Sequence, residues 1–84
     1  MTSEKVAIVT AGGGGIGEGV CRELKDNGYQ LVIMSRSESC ETLAEELGGI
    51  GVRGSVADAG DLENVVNATL EEFGRIDAVV NHTA

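Results

Sequence analysis

The chain has 84 residues, about half the length expected of one domain, so it holds one small domain or part of a larger one. Its 42% hydrophobic and 24% charged residues give a globular composition, which argues against a disordered tail. Fourteen acids against six Lys and Arg, a formal charge of -8, argue against a nucleic-acid or anionic-membrane partner.

Short β-branched runs alternate with helical patterns along the chain. Val6–Thr10 is a nearly continuous apolar run, as expected of a strand buried on both faces. A glycine cluster follows, after which Ile16, Val20 and Leu24 recur at a spacing of four, and Gly28 stands where a helix should stop. Leu31–Met34 reads as a second buried strand. Cys40, Leu43, Ala44 and Leu47 trace a short helical stripe closed by Gly48 and Gly49. Ile50–Val56 reads as a weaker third strand, interrupted by Gly51 and Gly54. Leu62, Val65, Val66, Thr69, Leu70 and Phe73 then form one continuous helical face, with Asp61 and Glu63 near its N-terminus and Gly74 at its end. Asp77–Asn81 is a fourth strand. The order βαβαβαβ implies an α/β fold, a doubly wound parallel sheet of Rossmann type with four strands and three helices on both faces. The fourth strand closes the chain with no neighbour on one side, so the fold looks truncated.

No apolar run approaches the roughly 20 residues of a membrane span, and Met1–Lys5 does not lead into a signal-peptide core. The protein is therefore read as cytoplasmic, with no membrane partner. Cys21 and Cys40 lack partners at metal-ligand spacing and read as free, reduced thiols, so no metal is expected. One Tyr, one Phe and no Trp offer no platform for stacking bases.

The chemistry concentrates in Thr10-Ala11-Gly12-Gly13-Gly14-Gly15-Ile16-Gly17, between the first strand and the first helix. Glycine lets the backbone turn tightly and approach a ligand with no Cβ in the way. A helix start directs unpaired N–H groups and partial positive charge at that turn, for which a pyrophosphate is the natural occupant. A flexible turn without a ligand is the alternative. The strand-to-helix setting favours the ligand.

This segment resembles the T-G-x-x-x-G-I-G signature of the short-chain dehydrogenase/reductase family, with Ala11 in place of the first glycine. Three further matches follow in register. Ser35-Arg36-Ser37 stands where the family selects its cofactor. Ser55-Val56-Ala57-Asp58 is similar to the Asp-Val-x-Asp segment after the third strand, with Ser55 replacing the usual Asp. Asn81-His82-Thr83-Ala84 is similar to the Asn-Asn-Ala-Gly segment, of which only Asn81 is retained. The resemblance spans the chain. It implies an oxidoreductase whose catalytic residues lie beyond Ala84, so none is assigned here.

Arg36 is the most informative single residue. Dinucleotide folds that select NAD end the second strand with an acid that holds the ribose 2′-hydroxyl. A cation flanked by the hydroxyls of Ser35 and Ser37 suits a 2′-phosphate instead, unless Arg36 is an ordinary exposed side chain. NADP is therefore expected over NAD. Asn81 either contacts the cofactor ribose or ties the strand end to a neighbouring loop. Asp58 reads as a helix cap more than a ligand contact, and His82 has no catalytic partner at a motif spacing. The candidate cofactor-binding residues are Thr10, Gly12, Gly13, Gly14, Gly15, Ile16, Gly17, Ser35, Arg36, Ser37, Ser55, Val56 and Asn81.

Residues 1–84 thus read as the N-terminal NAD(P)-binding portion of a longer single-domain enzyme, expected to be a homo-oligomer. The parent would pass hydride between NADP(H) and a small carbonyl or alcohol substrate, and this portion alone should be inactive. The competing readings are a stand-alone nucleotide-binding or regulatory module and a structural fragment that binds nothing.

Overall fold

A computed structural model describes residues 3–11 and 17–82. Its elements are β1 (Val6–Ala11), α1 (Glu18–Asp26), β2 (Gln30–Ser35), α2 (Ser39–Leu47), β3 (Ile50–Arg53), α3 (Ala59–Phe73) and β4 (Ala78–His82). The four strands form one parallel sheet in the order β3-β2-β1-β4. In β1 and β2 successive side chains point to opposite faces, and both faces are covered, so every residue of β1 is buried. Ala7, Val9, Leu31 and Ile33 meet α1 and α2 through Cys21, Cys40, Leu43, Ala44 and Leu47. Ile8, Val32 and Met34 meet α3 on the other face through Val65. This is the expected doubly wound architecture.

The helices stop where the glycines predicted. Gly28, Gly48 and Gly74 all take positive φ, at 87°, 73° and 77°. Two expectations are corrected. The third strand ends at Arg53 and does not run on to Val56. Gly54 N–H still donates to Ser35 O, but Asp58 N–H donates back to Ser55 O and closes a turn. The apolar residues of α3 also do not share one buried face. Val65 and Thr69 are buried, and Phe73 packs partly beneath them. Leu62 and Val66 (38% exposed each) and Leu70 (46%) stay in solvent, as does Val79 of the edge strand β4 (64%). One helix can reach only part of the sheet, and the stripe is wider than the contact. Among the described residues, no helix is long and apolar enough to cross a membrane.

Asp77 joins the start of β4 to the start of β1. Its Oδ2 accepts Val6 N–H at 2.8 Å, while Asp77 N–H donates to Val6 O at 2.8 Å. Arg75 donates to both carboxylate oxygens, at 2.7 and 2.8 Å. The Arg75 guanidinium first, and the Val6 amide second, hold the Asp77 carboxyl below its ordinary range. A carboxyl depressed on folding contributes stability that is complete above its unfolded value, about 3.9, and is lost as pH falls through the lower folded value. The melting temperature should therefore drop on acidification below about pH 4. Asp77→Asn should lower it at neutral pH and flatten that acid limb; an unchanged limb, followed by circular dichroism, would remove Asp77 from this role.

Candidate functional site

The carboxyl ends of the four strands lie along one edge of the sheet. β1 sits between β2 and β4: the chain steps from β1 to β2 to β3 on one side and then crosses to β4 on the other, and in such sheets a ligand crevice belongs at that reversal. Thr10 and Asn81 are register partners there, and Thr10 Oγ1 donates to Asn81 Oδ1 at 3.0 Å. Of the two roles weighed for Asn81, this bond ties the strand end, to β1 rather than to a loop. The Asn81 amide N–H groups have no acceptor among the described residues.

Gly17 is buried at the start of α1, where no side chain caps the helix. Cys21 N–H donates to Gly17 O, so the helix begins immediately behind Gly17. Its first-turn N–H groups point to that side with their partial positive charge. The candidates Gly12, Gly13, Gly14, Gly15 and Ile16 lie outside the described residues.

At the end of β2, the three residues of the Ser35-Arg36-Ser37 triplet do different things. Ser35 is buried, and its hydroxyl donates to Ser37 O at 2.9 Å, bracing the turn from inside. The Cys40 thiol supports the same carbonyl at 3.3 Å. Ser37 is exposed and shares a 2.6 Å hydrogen bond with Ser39. Arg36 is exposed and has no hydrogen-bond or ion-pair partner among the described residues. The other arginines are taken: Arg22 by Glu18 and Glu46, Arg53 by Glu41 and Glu38, Arg75 by Asp77. Among the described residues, Arg36 is thus the arginine without a partner, just beyond a strand end.

Beyond Ser37 opens a cleft of about 530 Å³ between α1 and α2, lined by Glu18, Ser37, Glu38, Ser39, Thr42 and Glu46 among others. Three carboxylates stand in its wall, Glu18 and Glu46 paired with Arg22 and Glu38 with Arg53.

After β3, Ser55 and Val56 occupy the turn described above. Ser55 Oγ accepts Ala57 N–H at 3.1 Å, which leaves its O–H free to donate. Val56 packs partly against the α3-side core. Asp58 is the N-cap of α3, as its sequence position suggested, and accepts Asp61 N–H at 3.1 Å. Asp61 was readable only as an acid near a helix start, yet it also holds the Ser55 amide at 2.9 Å. The Asp58-x-x-Asp61 spacing was the available signal. Cys21 and Cys40 are buried and free, and burial pushes the Cys21 thiol up.

Comparison with known proteins agrees with this fold. The family model described as short chain dehydrogenase matches residues 5–84. L-fucose dehydrogenase of Rattus norvegicus is 37% identical over 82 residues, covering 95% of this chain and 30% of that protein. Among solved structures, ElxO with NADP bound superposes with a TM-score of 0.78 at 28% identity, covering 94% of this chain and 34% of that one. A 3-oxoacyl-[acyl-carrier protein] reductase from Brucella melitensis in complex with NAD gives 0.71 at 34% identity, over 98% of this chain and 34% of that one. The chain therefore spans about a third of the length of these proteins.

Proposed function

The chain belongs to the short chain dehydrogenase family, and on that premise we propose that residues 1–84 are the dinucleotide-binding portion of an oxidoreductase that prefers NADP to NAD. The cofactor, when bound, supplies hydride exchange with a carbonyl or alcohol substrate in a longer, homo-oligomeric protein. The share of this chain is to bind and orient. Thr10 and Asn81 hold the crevice at the strand ends in shape. The glycine-rich segment, from Gly12 to Gly17, is the proposed receiver of the pyrophosphate, ahead of the uncapped start of α1. Ser55 and Val56 flank the adenosine, and Arg36 with Ser37 receives the 2′-phosphate. On this reading none of these candidate residues is assigned hydride chemistry, and inactivity of the chain by itself is part of the proposal.

The observation that carries this reading is Arg36, the arginine without a carboxylate partner among the described residues, standing just past the end of β2 in an acidic chain. An anion is then drawn by one guanidinium and by helix N–H groups, against the net charge. The test is calorimetric titration of the chain with NADP. Gly17→Val should abolish measurable binding and leave most of the fold, because a branched side chain would occupy the phosphate's space. Unchanged affinity in a folded Gly17→Val would remove the site from this turn.

A further inference from the structure

The turn that follows β3 is held by a side chain reaching out of the next helix. In an ordinary capping box, the acid at the third helical position reaches back to the N–H of the cap residue. Asp61 holds that third position behind the cap Asp58, but Asp58 N–H is already donated to Ser55 O at 3.1 Å. The Asp61 carboxylate therefore passes the cap and accepts Ser55 N–H at 2.9 Å. Asp58 closes the helix by accepting Asp61 N–H, while Asp61 anchors the start of the turn. Gly54 leaves the room for this. A Cβ at Gly54 would lie 2.9 Å from Asp61 Cβ and 3.1 Å from both Asp61 Cγ and Met34 Sδ. Between the two anchored amides, of Ser55 and Ala57, the Val56 N–H has no partner among the described residues.

We propose that Asp61 is a positioning residue for the nucleotide: through Ser55 N–H it sets the orientation in which the Ser55 hydroxyl and the Val56 N–H are presented at the strand ends. This rests on the proposed dinucleotide site, because Ser55 and Val56 are placed at its adenosine end. Asp61 itself touches no ligand. Without its carboxylate the turn keeps its sequence and loses its fixed orientation, so binding must order it anew.

The experiment compares wild type, Asp61→Ala, Asp61→Asn and Asp58→Ala by NADP titration and by thermal melting. Asp61→Ala should bind NADP about tenfold more weakly, the usual scale for losing one hydrogen bond to a charged group. Asp61→Asn, whose amide oxygen can still accept from Ser55 N–H, should recover affinity to within about threefold of wild type. Asp58→Ala removes the helix cap and should lower the melting temperature, yet bind NADP within about twofold of wild type. The inference is overturned if Asp61→Ala binds as tightly as wild type, or if Asp58→Ala weakens binding as much as Asp61→Ala does. Either result leaves wild-type binding, and so the dinucleotide site, in place. Failure of wild type to bind NADP instead overturns the dinucleotide site and this role of Asp61 with it.

Discussion

Gly51→Val should remove much of the chain's thermal stability, whereas Gly19→Ala should leave it unchanged or raise it. A Cβ at Gly51 would sit 2.5 Å from Glu41 Cα and 2.8 Å from Cys40 O and Glu41 N. All three are backbone atoms of the first turn of α2, so no rotamer change relieves the clash and the helix must lift from β3. Overpacking a well-filled site costs about 1–3 kcal/mol, and a rigid backbone neighbour puts this position at the upper end. A domain of this size has roughly 4–13 kcal/mol to lose. A loss of about 3 kcal/mol lowers the melting temperature by about 12–24 °C. Gly19 is the contrast, an exposed helical glycine with nothing within 4 Å of an added Cβ. Alanine there reduces the entropy lost on folding, for a gain of about 0.5–1 kcal/mol. Circular dichroism melts of the two variants decide the matter. A Gly51→Val chain melting within about 5 °C of wild type, a shift worth only about 1 kcal/mol, would mean that α2 does not seat on β3 this closely. The same contact bears on the site, because Cys40 in that turn supports the Ser37 carbonyl below Arg36.

Periodicity and glycine placement make the order of elements readable in the sequence. Val6–Thr10 and Leu31–Met34 are apolar at consecutive positions because both sides of β1 and β2 are covered, and no other short element writes that pattern so plainly. The stops at Gly28, Gly48 and Gly74 were readable because a positive φ is cheap only for glycine. The end of β3 was hidden for a different reason. Val52 and Val56 suit a strand equally well, and what separates them is a carboxylate six positions downstream that takes the Ser55 amide. Asp77 was hidden likewise, since its bond to Val6 spans 71 positions and leaves no local mark. On α3 the pattern gave the stripe but not its occupant. Apolar spacing cannot tell Val65 and Thr69, which meet this sheet, from Leu62, Val66 and Leu70, which do not. At the site, residue types marked the glycine turn and Arg36. The inward turn of the Ser35 hydroxyl is not legible in the sequence, because a serine beside a strand end braces a turn or faces a ligand with the same letters.

Arg36→Ala should weaken NADP binding by roughly 10- to 150-fold and leave NAD binding nearly unchanged. The range is that of a hydrogen bond to a charged group, about 1.5–3 kcal/mol, converted at 1.4 kcal/mol per tenfold. Two features of the structure bear on where in the range the result falls. The acids nearest to Arg36 in sequence are committed elsewhere: Glu38 and Glu41 lean on Arg53, at 3.8 and 2.7 Å. Arg36 therefore breaks no ion pair of its own to meet a phosphate, which favours a large effect. Against that, the guanidinium is exposed, and an exposed charge pair is weakened by solvent and salt. Ser35 contributes little, its hydroxyl being spent on Ser37 O, so Ser37 alone remains to share the phosphate. The lower half of the range is the expected result. Arg36→Asp should go further and invert the preference, because a carboxylate repels the 2′-phosphate and accepts from a 2′-hydroxyl. Dissociation constants for both cofactors, measured at one ionic strength and again at higher salt, give the answer. The loss in Arg36→Ala should shrink as salt rises, since what it removes is a screened charge contact. If wild type binds NAD as tightly as NADP, or if Arg36→Ala loses both equally, the guanidinium at the end of β2 is a solvated surface group and cofactor choice lies with other residues.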